Sequence, residues 1–139
     1  MNKWSEIAVH HSGTDDGPAL NWDAIRHYHK DHNGWRDVGY NAGVELVGAS
    51  YEVLMGRPTY MTGAHTIGHN TTALGICFVG NFNNGVPPVG QLEAGVKKIK
   101  EWMETYNIPK ENVFPHKKYN DTDCPGDLFP MDKLMELLR

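Results

Sequence analysis

Two short apolar runs constrain this chain most: Ile7-Ala8-Val9 and Leu74-Gly75-Ile76-Cys77-Phe78-Val79. A strand with one wet face alternates polar and apolar residues. An unbroken run of strand length therefore belongs to a strand covered on both faces. Helices are the usual cover, and the chain supplies them. Leu92, Val96, Ile99, Met103 and Tyr106 recur at spacings of four, three, four and three. That is the stripe of a helix beginning near Val89 with one core-facing side, ended by Asn107 and Pro109. Trp22 to about Asn33 reads as another helix, with Asn21 as its N-cap, Asp23 in its first turn and Gly34 as its stop. Trp22, Ile25 and His29 share one of its faces. Pro130 opens a last helix whose Leu134, Leu137 and Leu138 point inward.

The first strand runs from Glu6 to His10. Val38 to Val47 and Tyr51 to Met55 read as two strands of a hairpin joined through Gly48-Ala49-Ser50, and Asn112 to Phe114 as a short strand. Ser12 to Leu20, Gly56 to Thr72 and Gly80 to Pro88 are loops. The second is long, and structureless connections of that length are uncommon unless they are functional. This order implies an α/β fold with a mixed central β-sheet flanked by helices. The 139 residues make one domain, long enough to bury about two-thirds of the unfolded surface without disulfides or a structural metal.

A net charge of −4, with the basic residues scattered, gives no global attraction for nucleic acid or anionic membranes. No apolar run approaches the length of a membrane span, so no membrane insertion is expected. The start, Met1-Asn2-Lys3-Trp4-Ser5-Glu6, leads into no apolar core of a signal peptide. The expectation is a monomer made in the cytoplasm, which acts elsewhere only when something releases it.

The chemistry gathers in Phe114-Pro115-His116-Lys117-Lys118-Tyr119-Asn120-Asp121-Thr122-Asp123-Cys124-Pro125-Gly126, too polar and turn-prone for regular structure. His116 and Cys124 stand eight positions apart, and imidazole and thiolate are the ligands Zn²⁺ prefers. A third donor has to come from far away, and the His10-His11 pair at the end of the first strand is the obvious source. By spacing alone the stretch is as readily a capped loop as a metal site. Cys77, inside an apolar run, reads as a small core hydrophobe. Cys124, among polar residues and turn formers, suits a liganding or reactive thiolate.

Five blocks then form one ordered series: Ala8-Val9-His10-His11-Ser12; Gly34-Trp35-Arg36-Asp37-Val38-Gly39-Tyr40-Asn41; Gly63-Ala64-His65; Gly75-Ile76-Cys77-Phe78-Val79-Gly80; and His116 to Gly126. Together they resemble the zinc-dependent N-acetylmuramoyl-L-alanine amidases of the phage T7 lysozyme and peptidoglycan-recognition-protein type, from about Glu6 to Leu138. The resemblance implies that fold, residues 1–139 as one catalytic domain without a separate cell-wall-binding domain, and peptidoglycan or its muropeptides as substrate. It also implies one Zn²⁺ per chain and cleavage of the amide joining N-acetylmuramic acid to L-alanine, in the manner of a phage or prophage endolysin.

Residue by residue, the resemblance makes His10, His116 and Cys124 the metal ligands, with His11 at a position that varies. Three protein ligands leave one tetrahedral position open, as a hydrolytic site needs. Tyr40 matches the active-site tyrosine; read from its residues alone, it is an aromatic at a strand start packing in the core. Thr122 stands where the phage enzyme carries a catalytic lysine, a place where recognition-protein amidases tend to have threonine, so its hydroxyl is a catalytic candidate. His65 is implied to line the substrate groove, and Asn70 to order the same loop. Trp35 and Arg36 contact a glycan or anchor the sheet, with core packing expected for Trp35. Other readings are an amidase recycling muropeptides in the cytoplasm, a non-catalytic binding module, and a metal-free cysteine hydrolase built on Cys124. The module is disfavoured because such relatives typically lose the cysteine that this chain keeps.

Overall fold

The expected sheet forms around β1 (Glu6–His11), buried along nearly its whole length as an unbroken apolar run requires. The computed structural model describes residues 4–13, 21–35, 37–47 and 49–138. β2 (Ala42–Val47), β3 (Ser50–Met55), β4 (Ala73–Phe78) and β5 (Val113–Pro115) complete a mixed sheet in the order β3-β2-β4-β1-β5. β1 runs parallel to β4 and β5, and β2 runs parallel to β4. Among the described strands only the β2–β3 hairpin is antiparallel, with Val47 opposite Ser50. Gly48 of its turn lies outside the described residues, as do residues 14–20 of the loop after β1 and Arg36.

Each face of the sheet has its own cover. Ile7, Val9, Leu74, Ile76, Phe78, Ala42 and Val44 point to the side occupied by α2 (Val89–Tyr106) and α3 (Met131–Leu137). There they meet Leu92, Val96, Ile99, Leu134 and Leu138, the residues their stripes predict, and also Trp102. Gln91, 1% exposed, donates from Nε2 to the carbonyls of Val44 and Val79 and so ties α2 to β2 and to the residue after β4. Asn107 ends α2 in the left-handed conformation.

On the other face, α1 (Trp22–His27) lays Trp22 over Gly43, Val38 and Cys77. Asn21 caps it through a bond accepted from the Ala24 N–H, and the helix continues as one π-helical stretch, Tyr28–His32. The strand expected from Val38 starts only at Ala42. Residues 38–41 pair with side chains and with the long loop instead: the Asp37 carboxylate accepts from the Val38 N–H, and the Gly39 carbonyl accepts from the Ala64 N–H. Trp35, expected in the core, is half-buried at the margin, against the His29 ring and beneath the Arg57 guanidinium. Residues 56–72 form the irregular loop the sequence predicts. Among the described residues no helix is long and apolar enough to cross a membrane.

Candidate metal centre

In an open sheet with parallel strands, ligands collect beyond the carboxyl ends of the strands. His10 is the penultimate residue of β1, and His116 follows the last residue of β5, the neighbouring parallel strand. Because side chains alternate along a strand, His10 and His11 face opposite sides of the sheet. His10 turns to the α1 side. His11 turns to the other, where its Nδ1 accepts from the Phe82 N–H at 3.1 Å.

Cys124 reaches the same point from the loop after β5. His10, His116 and Cys124 offer three ligand atoms that all lie within 4.8 Å of one another. Cys124 Sγ is 3.7 Å from His10 Nδ1, and the two histidine rings are 4.5 Å apart between centroids. Several contacts fix the cysteine. Its carbonyl accepts from the Lys117 N–H at 2.9 Å, its Sγ accepts from the His11 N–H at 3.3 Å, and its own N–H donates to Thr122 Oγ1 at 3.2 Å. Gly126 closes the loop at φ +112, so near Phe82 that a Cβ would sit 2.5 Å from a backbone carbon. Only glycine fits there.

The electrostatics are those of a neutral, desolvated pocket. Burial holds the His10 imidazole well below its ordinary range, and the neighbouring His65 and His116 add to this. Burial also lowers His116 and pushes the Cys124 thiol up to about 12, although the His11 N–H works the other way. Such a thiol ionises only beside a cation. Meanwhile His116 Nδ1 is buried and, among the described residues, has no hydrogen-bond partner. An orphaned lone pair of this kind is costly unless something outside the protein takes it.

In a tetrahedral Zn²⁺ site with bonds of about 2.0–2.3 Å, ligand atoms stand roughly 3.3–3.8 Å apart, so this cluster needs little closing. Two neutral imidazoles, one ionisable thiol and an unclaimed lone pair fit such an ion.

The outer sides of both rings are occupied. His10 Nε2 lies 3.1 Å from His65 Nδ1 and 3.3 Å from Thr66 Oγ1. His116 Nε2 lies 2.7 Å from Asn120 Oδ1. His65, expected in the substrate groove, is instead 8% exposed behind His10, with its Nε2 donating to the Ala73 carbonyl at 3.0 Å. The slot over β4 draws it inward. Asn70 Oδ1 accepts from the N–H groups of His65 and Thr66, so Asn70 orders the loop rather than facing out of it.

Tyr40 is half-buried, its ring 5.0 Å from that of His10. Burial raises its phenol well above the ordinary range, and the neighbouring Cys77 thiol adds to the rise. It therefore keeps its proton. Cys77 is core as expected, with no exposed surface, but it pairs with His10 in the β1–β4 register and so lies beneath the site. Lys117 and Lys118 are both exposed, and Lys118 Nζ lies over the Tyr119 ring. Neither replaces the lysine absent at Thr122. Asn120 and Thr66 escaped the sequence reading; an amide one turn after a candidate ligand was the only local signal, at Asn120.

The chain resembles known proteins along its whole length. The family profile described as N-acetylmuramoyl-L-alanine amidase matches residues 1–127. The human N-acetylmuramoyl-L-alanine amidase is 32% identical over 146 aligned residues, covering 96% of this chain but only 23% of that protein. Among solved structures, the endolysine N-acetylmuramoyl-L-alanine amidase LysCS from Clostridium intestinale URNW superposes with a TM-score of 0.85 at 28% identity, over 99% of this chain and 84% of that one. Peptidoglycan recognition protein-LE, in complex with tracheal cytotoxin, superposes with a TM-score of 0.81 at 26% identity, over 96% and 80%.

Proposed function

Because the chain belongs to the N-acetylmuramoyl-L-alanine amidase family, we propose that it hydrolyses the amide between N-acetylmuramic acid and L-alanine in peptidoglycan, using one Zn²⁺ held by His10, His116 and Cys124. The observation that carries this reading is the convergence of one ligand atom each from His10, His116 and Cys124 within 4.8 Å, beside a buried His116 Nδ1 that has no hydrogen-bond partner among the described residues. The recognition protein crystallised with tracheal cytotoxin, a monomeric diaminopimelic-acid-type peptidoglycan, supports a muropeptide substrate. The likeness to an endolysine supports a role on the cell wall, as a phage or prophage endolysin acting as a monomeric catalytic domain after release from the cytoplasm.

When bound, the ion supplies Lewis acidity, polarising the scissile carbonyl and acidifying water. The protein's own residues do the rest. Tyr40, kept protonated by burial, is a donor and not a base. The Cys77 thiol beside it is only a weak acceptor, so turning its proton to a developing oxyanion costs little. The Thr122 oxygen already accepts from the Cys124 N–H, which leaves its proton for the substrate. A metal-free cysteine hydrolase would need a thiolate at working pH, and a thiol pushed up to about 12 does not provide one.

The test is metal analysis of the purified protein together with peptide release from purified cell walls. One zinc per chain is expected, with release that a chelator abolishes and added zinc restores. Release indifferent to chelator would overturn the metal reading. A strong preference for soluble muropeptides over intact walls would move the protein from lysis to recycling.

A further inference from the structure

A neutral imidazole has two chemically different nitrogens, and a metal takes the one without a proton. For both ligand histidines, that choice is made on the far side of the ring. His65 Nε2 lies 3.0 Å from the Ala73 carbonyl oxygen, which can only accept, so this nitrogen carries a proton. Among the described residues the other partners of the buried ring are Thr66 and His10, neither an acid. A second proton would leave an uncompensated buried charge, so His65 Nδ1 keeps its lone pair. Thr66 Oγ1 also reaches that lone pair, at 2.9 Å, but a bare His10 Nε2 would set two lone pairs against each other at 3.1 Å, so His10 Nε2 carries a proton. His10 Nδ1 is left bare, facing Cys124 Sγ at 3.7 Å.

Asn120 settles His116 in the same way. Its Oδ1 accepts from the Ile67 N–H at 2.9 Å and its Nδ2 donates to the Ile67 carbonyl at 3.1 Å, which fixes which end of the amide is oxygen. That oxygen is the atom 2.7 Å from His116 Nε2, so Nε2 carries the proton and the buried Nδ1 is bare. Both controls converge on residues 65–67 of one loop.

We propose that His65 and Asn120 are positioning residues that fix the tautomers of His10 and His116, so that each presents Nδ1 to the metal. The zinc itself rests on the reading given above; the tautomers rest on hydrogen bonds alone. The assembly is built for this. A Cβ at residue 75 would stand 2.7 Å from the His65 ring, so the ring occupies a slot that Gly75 leaves open. Asn70 pins the backbone on which His65 and Thr66 stand.

The test uses the full chain with ¹⁵N-labelled histidine. Imidazole ¹H–¹⁵N spectra, with and without zinc, should show the proton on Nε2 of both His10 and His116. A scalar coupling should also cross the hydrogen bond from His10 Nε2 to His65 Nδ1. His65→Leu should mix the His10 tautomers and weaken zinc binding about 10–100-fold, the usual cost of losing such a partner, while His116 is unchanged. His65→Asn, which keeps an acceptor, should recover most of the affinity. Asn120→Leu should do to His116 what His65→Leu does to His10, and at a half-buried surface position it keeps the fold should the buried change lose it. A wild-type protein with the proton on Nδ1 of either ligand overturns the inference. So do leucine variants with wild-type tautomers and zinc affinity. Wild-type protein that takes up no zinc yet shows both Nε2 protons overturns the metal reading and upholds the tautomer assignment.

Discussion

His10 and His11 are adjacent in the chain and stand on opposite faces of the sheet: His10 Nδ1 faces Cys124 Sγ at 3.7 Å, whereas His11 Nδ1 accepts from the Phe82 N–H at 3.1 Å. The two substitutions to alanine should therefore separate cleanly. His10→Ala should abolish stoichiometric zinc binding and wall hydrolysis. His11→Ala should keep the zinc and lose about 1–3 kcal/mol of folding stability, because it leaves a buried N–H without its acceptor. Metal content and urea unfolding on both variants check this; the reverse pattern would shift the first ligand by one residue.

Tyr40→Phe should keep the zinc and lower kcat by about a hundredfold or more, the scale for losing one oxyanion donor. Because burial raises its phenol, the tyrosine stays a donor through and above the neutral range, and the wild-type rate should show no fall from its ionisation as pH approaches 10 from below. A rate close to wild type in Tyr40→Phe would return this residue to the core.

Thr122 binds the backbone of the cysteine ligand, its Oγ1 accepting from the Cys124 N–H at 3.2 Å. Thr122→Val should thus weaken zinc binding by up to about tenfold, the worth of one ordinary hydrogen bond, and reduce turnover less than Tyr40→Phe does. Thr122→Ser should behave like wild type in both. Full wall-degrading activity in Thr122→Val would remove the hydroxyl from the mechanism.

Stability of the zinc-free chain should fall in acid. Burial holds His65 down to about 4, against an ordinary value near 6.5. Between those values the unfolded chain takes up a proton that the folded chain refuses. His65 therefore contributes stability that is complete above about pH 6.5 and is lost as pH falls toward 4, on the order of 3 kcal/mol in all. Urea unfolding of the zinc-free protein from pH 7 to pH 4 measures the slope, and His65→Asn should make it shallower, the remainder coming from other buried histidines such as His10 and His116. Parallel profiles for the two proteins would contradict the assignment.

Local patterns along the chain specify most of its strands and helices and the chemistry available to them. Periodicity is local: the unbroken run before His10 makes β1 a buried strand, and the stripe from Leu92 to Tyr106 makes α2 a core helix, whatever else the chain does. The set His10, His116 and Cys124 was legible because five motifs keep a family order. How the site is supported depends on contacts between distant segments. His65 looked like a groove residue, and the slot above Gly75 turns it inward onto His10. Asn120 gave almost no signal, yet it holds His116 through a backbone 53 residues away. Cys77 read as plain core, and strand register sets it beneath Tyr40 and beside His10. The reason is physical. Which face a residue takes follows from its immediate neighbours, but which loop closes over that face depends on contacts between segments that share no local pattern.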